Sequence, residues 1–297
     1  MRLRLSAFVV VTVLATACDS SSPGDAACEP RAVVEALTDY RQYDVFLVDR
    51  EGGLAALTDD RLSFSPDVAP DGSWLALVKA APGSWSESFG YDDTSVQTMA
   101  FDGTDAVTVP RRDGWNDTAP VIRPDGHELA FIRRPADASE GVRLMISDRE
   151  GEQITVLAHL ETEHAVSAPA WSPDGSQVAV AVRDDDYSGT VLALDAETGD
   201  RRGEWALTHW QDSIAWSADG DQLVISSSNY ETPYDVSIID VERGGVSEVA
   251  QPDGGSWTNA QFDEGSADRL NVLWYEASIE PKSQHVVKVT FDGAVVS

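Results

Sequence analysis

Apolar positions recur with period two in short runs along this chain. They are Trp74, Ala76 and Val78; Leu129 and Phe131; Val178, Val180 and Val182; Leu223 and Ile225. Period two with one apolar face predicts a half-buried β-strand. Each run follows the same turn: "APDGSWLALV" (Ala69 to Val78), "RPDGHELAFI" (Arg123 to Ile132), "SPDGSQVAVAV" (Ser172 to Val182) and "SADGDQLVIS" (Ser217 to Ser226). In such a turn Gly supplies the positive φ and Asp caps the backbone. An apolar residue two places before it, such as Trp171 or Trp216, marks the end of a preceding strand. A third strand is predicted after a variable loop, at Val45 to Asp49, Val96 to Asp102, Arg143 to Asp148, Thr190 to Asp195, Asp235 to Asp240 and His285 to Asp292. All six end in Asp and run into a Gly-containing turn, and a short fourth strand closes each unit.

The turn residues Asp71, Asp125, Asp174 and Asp219 lie 54, 49 and 45 residues apart. A repeat of about 40 to 50 residues built on short strands marks a β-propeller or a related array. The expected fold class is therefore all-β, a β-propeller of six four-stranded blades. The last unit, Ala260 to Tyr275, lacks the Pro-Asp-Gly turn. In the first unit Arg31 to Leu37 is the expected second strand, and no first strand is evident. Ring closure stays open at this level.

"APAWSPDGSQVAVAV" (Ala168 to Val182) and "LAALTDD" (Leu54 to Asp60) carry a family resemblance. The repeat resembles the PD40, or TolB-like, relative of the WD40 repeat, over about residues 43 to 275. The resemblance implies a propeller and leaves function open. Members of the family include periplasmic scaffolds, gating propellers of serine peptidases, and some lyases. The helices that accompany the propeller in TolB itself are not evident at this N-terminus.

Residues 1–17 read as a leader. Arg2 and Arg4 precede a 13-residue apolar stretch, Leu5 to Ala17. That is too short to span a bilayer as a helix, which needs about 20 residues. "Leu14-Ala15-Thr16-Ala17-Cys18" resembles a bacterial lipobox, which implies cleavage before Cys18 and a lipid on its thiol. Ala15 stands where the family pattern has Leu, and the plainer reading is a secretory signal with a chance cysteine. Residues 18–29 are small and polar and read as a flexible tether, leaving 30–297 for the propeller. Cys28 has a partner only if Cys18 is not acylated.

Net charge is −30, and −32 once Arg2 and Arg4 leave with the leader. Such a surface repels nucleic acid and anionic lipid, so the expected membrane attachment is the acyl anchor alone. The expected location is the bacterial cell envelope, outside the cytoplasmic membrane.

The loops that lead into new blades share a pattern: Trp115-Asn116-Asp117, Trp210-Gln211-Asp212 and Trp257-Thr258-Asn259, with Glu163-His164 and Asp60-Arg61-Leu62 at the matching places. If these converge, Trp115, Asp117, His164, His209, Trp210, Asp212, Trp257 and Asn259 form a ligand face. Aromatic faces beside polar groups suit a sugar, a peptide or a cationic ligand. The plainer reading packs each Trp between blades and makes each Asp or Asn a cap. The loops between second and third strands carry Tyr91-Asp92-Asp93, Asp184-Asp185-Asp186-Tyr187 and Asn229-Tyr230-Glu231. Their carboxylates could hold Ca²⁺, but no EF-hand spacing is present. No cofactor and no metal set is otherwise indicated.

No Gly-x-Ser-x-Gly elbow and no His-Glu-x-x-His occurs. The leading expectation is a non-catalytic, lipid-anchored propeller that binds an envelope protein, a peptide or a glycan. The alternative is a secreted polysaccharide lyase or glycosidase working at the channel mouth.

Overall fold

The computed structural model describes residues 9–10, 32–39, 42–48, 53–86, 90–137, 140–160, 166–183, 188–209, 211–229, 232–249, 256–263, 269–275, 284–291 and 294. Cys18, the tether and Cys28 lie outside them. The chain divides into two compact units, Met1–His159 and Leu160–Ser297. Every described element is β, and the class is the β-propeller, with six antiparallel sheets in chain order.

The first unit holds three of these sheets. Sheet 1 is β1 (Val9–Val10), β2 (Ala32–Asp39), β3 (Gln42–Val48) and β4 (Leu54–Ala56). Sheet 2 is β5 (Ser63–Val68), β6 (Trp74–Ala80), β9 (Thr94–Ala100) and β10 (Val107–Thr108). Between β6 and β9 a small hairpin, β7 (Trp85–Ser86) with β8 (Gly90–Tyr91), stands apart from the sheet. Sheet 3 is β11 (Trp115–Ile122), β12 (Glu128–Pro135), β13 (Val142–Asp148) and β14 (Ile154–Leu160).

The second unit repeats the scheme. Sheet 4 is β15 (Ala170–Trp171), β16 (Gln177–Arg183), β17 (Gly189–Asp195) and β18 (Arg201–Leu207). Sheet 5 is β19 (Gln211–Trp216), β20 (Gln222–Asn229), β21 (Thr232–Asp240) and β22 (Val246–Val249). Sheet 6 has three strands among the described residues: β23 (Ser256–Phe262), β24 (Arg269–Tyr275) and β25 (Gln284–Thr290).

The expected second strand of the first unit, Arg31 to Leu37, is found as β2. Its other neighbour is β1, where Val9 pairs with Ala36 and Val10 with Glu35. That strand lies inside the stretch read as a leader.

The turns form as their residues dictate. Gly72, Gly126, Gly175 and Gly220 all take φ between 67° and 78°. The preceding Asp71, Asp125, Asp174 and Asp219 each accept the amide two residues on, at 2.9, 3.0, 3.0 and 3.2 Å. The Asp residues that end third strands do the same work: Asp102 takes the Thr104 amide, Asp195 the Thr198 amide and Asp240 the Arg243 amide.

One expectation is corrected. The second strands are not half-buried; β6, β12 and β16 are buried on both faces over most of their length. The cause is packing of sheets on both sides. From β6, Leu75 and Leu77 pack toward sheet 1 with Val33, Val45 and Met99. Trp74 and Ala76 pack toward sheet 3 with Leu129, Phe131 and Met145. In the second unit, β20 sends Leu223 and Ile225 against sheet 4 and Val224 against sheet 6.

Single polar bonds supplement this packing. Trp74 Nε1 donates to Gly126 O and Trp216 Nε1 to Ala170 O, both at 3.0 Å. The first strands of sheets 2, 3, 5 and 6 each skip register, after Phe64, Thr118, Gln211 and Thr258. Ser65 and Ala119 sit in two of these bulges at φ 49° and 53°, each just before a proline. A bulge adds a residue and bends its strand. Carboxylates occupy these bends. Glu35 of β2 accepts the Ser65 amide at 2.7 Å, and Asp67 of β5 accepts the Ile122 amide at 2.6 Å.

Candidate functional site

In the first unit, one end of sheets 1 to 3 gathers the chemistry. It is the end opposite the Pro-Asp-Gly turns, where second strands finish and third strands begin. Two features meet there.

The first is a step of three rings. Tyr43 opens β3, Phe64 lies near the start of β5, and Tyr91 closes β8. Phe64 and Tyr91 stack with centroids 5.4 Å apart and planes at 20°. Tyr43 approaches Phe64 at 6.1 Å and 53°. All three are only partly buried. Burial first, and then Tyr43 beside it, raises the Tyr91 phenol above its usual range. Paired rings of this kind are favourable beyond their area alone. Beneath the step, Asp44 is buried and accepts the Thr58 hydroxyl at 3.1 Å and the Arg61 amide at 2.8 Å. Asp60 pairs with Lys79 and accepts the Leu62 amide at 2.8 Å. Burial pushes the Asp60 carboxyl up, but Lys79 and the Leu62 and Ser63 donors together bring it below the ordinary value.

The second feature is a guanidinium cluster between sheets 2 and 3, starting two residues beyond Tyr91. Asp93 pairs with Arg111, whose other nitrogen donates to Trp115 O at 2.5 Å. Asp117 opposes Arg133 in the ladder. The pair is bidentate: Arg133 Nε reaches Asp117 Oδ1 at 2.7 Å and Nη2 reaches Oδ2 at 2.8 Å. Burial raises the Asp117 carboxyl, opposed by the Arg133 hydrogen bonds and by Arg111. Arg133 Nη2 also donates to Pro110 O at 2.9 Å. Arg143 is directly opposite Arg133 on β13. Its guanidinium lies 4.2 Å from the centre of the Trp115 ring, and that of Arg112 lies 6.0 Å away. Glu140 joins both, at 2.8 Å from Arg143 Nη2 and 3.3 Å from Arg112 Nη2.

The residues expected on a ligand face divide accordingly. Trp115 and Asp117 do not lie in a loop but open β11, and Trp257 and Asn259 lie within β23; the ladder to the second strand extends farther than expected. Trp115 is 3% exposed and Asp117 is closed off completely. Their side chains pack against and pair with the arginines, so neither faces an open surface. Asp212 lies in β19, and its side chain, like those of Trp257 and Asn259, is outside the described set. His164 and Trp210 lie outside the described residues. His209 is half-buried, with Nδ1 3.6 Å from Asp235 Oδ2. Burial raises the Asp235 carboxyl, His209 opposes this, and Glu248 adds to it.

Of the loops considered for Ca²⁺, 184–187 and 230–231 lie outside the described residues, and Asp93 is held by Arg111. Among the described residues no group of three or more His, Cys, Asp or Glu is close enough to hold a metal ion. No described helix is long and apolar enough to cross a membrane.

The aromatic step was not legible beforehand, because its rings come from three strands at unrelated offsets. The guanidinium cluster left a signal that charge counting finds: the paired arginines at 111–112 and 133–134.

These sheets and turns define a propeller of the TolB-like kind. The solved TolB of Acinetobacter baumannii superposes with a TM-score of 0.61 at 18% identity, over 89% of this chain and 62% of that one. An oligogalacturonate lyase in complex with manganese matches with a TM-score of 0.53 at 14% identity, over 86% and 85%. At such identity the likeness is one of fold. No protein-family model matches the chain. Among curated proteins, the uncharacterized peptidase YuxL of Bacillus subtilis is 33% identical over 119 residues, 39% of this chain and 17% of its own length. The chain thus spans less than a fifth of the curated relatives it matches.

Proposed function

We propose that this chain is a non-catalytic docking propeller, lipid-anchored outside the cytoplasmic membrane, whose first unit presents a binding face to an envelope protein, peptide or glycan. The aromatic step of Tyr43, Phe64 and Tyr91 carries the reading. Three partly open rings on fixed strands, beside the hydrogen-bonded Asp44 and the Asp60–Lys79 ion pair, give a rigid apolar surface with polar neighbours. Such surfaces suit recognition, since the rings lose little freedom when covered. The small hairpin β7–β8 seats Tyr91 on Phe64 and makes the step continuous.

Binding to peptide and glycan arrays tests this. Tyr91→Ala, checked for folding by its melting transition, should weaken the bound class by about tenfold. Unchanged binding would sink the reading. The anchor is tested separately: incorporation of labelled fatty acid should disappear in Cys18→Ala, and persistence of the label would exclude that residue.

The enzymatic alternative draws on His209 beside Asp235 in the second unit, a histidine and a carboxylate close enough to cooperate. It requires turnover in a glycan library that His209→Ala abolishes.

A further inference from the structure

We propose that Arg112 and Arg143, gathered around the Trp115 ring, form a recognition site for a side-chain carboxylate of an acidic peptide, and that Glu140 is the chain's own competitor for it. The proposal deepens the docking reading and rests on it.

Three observations carry the inference. First, charge is distributed unevenly. The chain is −30 overall, yet residues 111–149 contain seven arginines and seven carboxylates and are neutral. An acidic partner meets less repulsion along this stretch than along the rest of the chain.

Second, the neighbouring pair provides a template. Arg133 uses Nε and Nη2 side by side to hold both oxygens of Asp117. Arg143, opposite it in the ladder, uses only Nη2, on Glu140. Its Nε is buried with no hydrogen-bond partner. A buried donor left unmet is destabilising. A carboxylate arriving side-on would satisfy both nitrogens, the geometry that makes arginine pairs strong. This mode requires Glu140 to leave Nη2 and the incoming oxygen to reach Nε.

Third, the position already accepts a glutamate side chain. Glu140 bridges Arg112 and Arg143 and is itself 38% exposed. A solvent-facing ion pair of this kind is weak, about 0–1 kcal/mol, so Glu140 is exchangeable. Its side chain sets the size of the occupant, which favours a glutamate-bearing peptide over an acidic sugar ring.

The test is fluorescence anisotropy of labelled hexaglutamate at ~0.15 M salt, where the Debye length is about 8 Å. The native chain should bind. Glu140→Gln should tighten binding by up to about fivefold, the upper worth of an exposed pair. Arg112→Gln should weaken it to a similar degree; Arg112 is 72% exposed, so the variant should fold. Arg134→Gln removes the same charge from the opposite face of β12 and should change little. The proposal is overturned if native and Glu140→Gln both ignore hexaglutamate, if Glu140→Gln weakens binding, or if Arg134→Gln matches Arg112→Gln. Binding of an oligouronate but not hexaglutamate also overturns it, in favour of a glycan site. If a partner is lost in Tyr91→Ala but kept in Arg112→Gln, the carboxylate site fails and the docking face stands. If neither variant affects any binder, both fail.

Discussion

Asp67 is largely but not wholly covered, and its carboxyl is pushed up to about 6 by burial, against the pull of the Ile122 and Val68 amides. Its folded-state pKa lies above the unfolded one, so the folded chain binds the extra proton between about pH 4 and 6. The associated stability is complete below that window and is lost as pH rises through it, by about 3 kcal/mol. Asp67→Asn keeps an oxygen for the Ile122 amide and removes the charge. Urea unfolding at pH 5 and 7 should show the variant gaining on the native chain at pH 7. Turn carboxylates act in the opposite sense. Asp71, Asp174 and Asp219 are held below their usual range, chiefly by serine hydroxyls. Their contribution is present at neutral pH and is lost as pH falls below about 4. The Asp117–Arg133 pair has a different cost structure. Removing one partner strands a buried charge, and Arg133→Gln should cost about 3–5 kcal/mol in denaturant unfolding. A loss under 1 kcal/mol would mean that water reaches the site.

The strands depend on local fit. Trp205 of β18 lies across Gly203, so that a Cβ there would come 2.1 Å from the indole. The indole belongs to the core between sheets 4 and 5. Gly203→Ala should therefore cost about 1–3 kcal/mol through overpacking, read as a lowered melting temperature; no change would show that the ring can slide outward. Most of this level was legible from the chain. Turn residues and terminal aspartates located the hairpins because their demands are local: a positive φ at Gly175, an amide for Asp174 to accept. Burial was misread, because alternation reports one face of a strand. Leu75 and Leu77 interleave with Trp74 and Ala76, and both sets are apolar because sheets cover both sides of β6. Trp115-Asn116-Asp117 was read as a loop for a related reason: the partners of its side chains, Arg143 and Arg133, come from other strands, which periodicity does not reveal.

Across the chain, charge and site organisation dominate. A net charge of −30 disfavours the compact state through self-repulsion. Raising salt from ~0.05 to ~0.5 M shortens the Debye length severalfold, and the melting temperature should rise. A fall would mean that ion pairs such as Arg123–Glu128 outweigh the repulsion. The candidate site was legible only in part. Trp115 and Asp117 drew notice because the motif recurs, and at this one instance with described side chains both are packed and paired. Tyr43 and Phe64 belong to no repeat, and contacts across sheets leave no trace in spacing.

The central claim is that a partner docks where Tyr43, Phe64 and Tyr91 meet. Site-specific photocrosslinking from intact envelopes tests it most directly, with the crosslinker at position 91 or, as a control, at position 73 in the Pro-Asp-Gly turn at the other end of sheet 2. The account expects a defined adduct from position 91 and none from position 73. An adduct only from position 73, or equal yields from both, would contradict it.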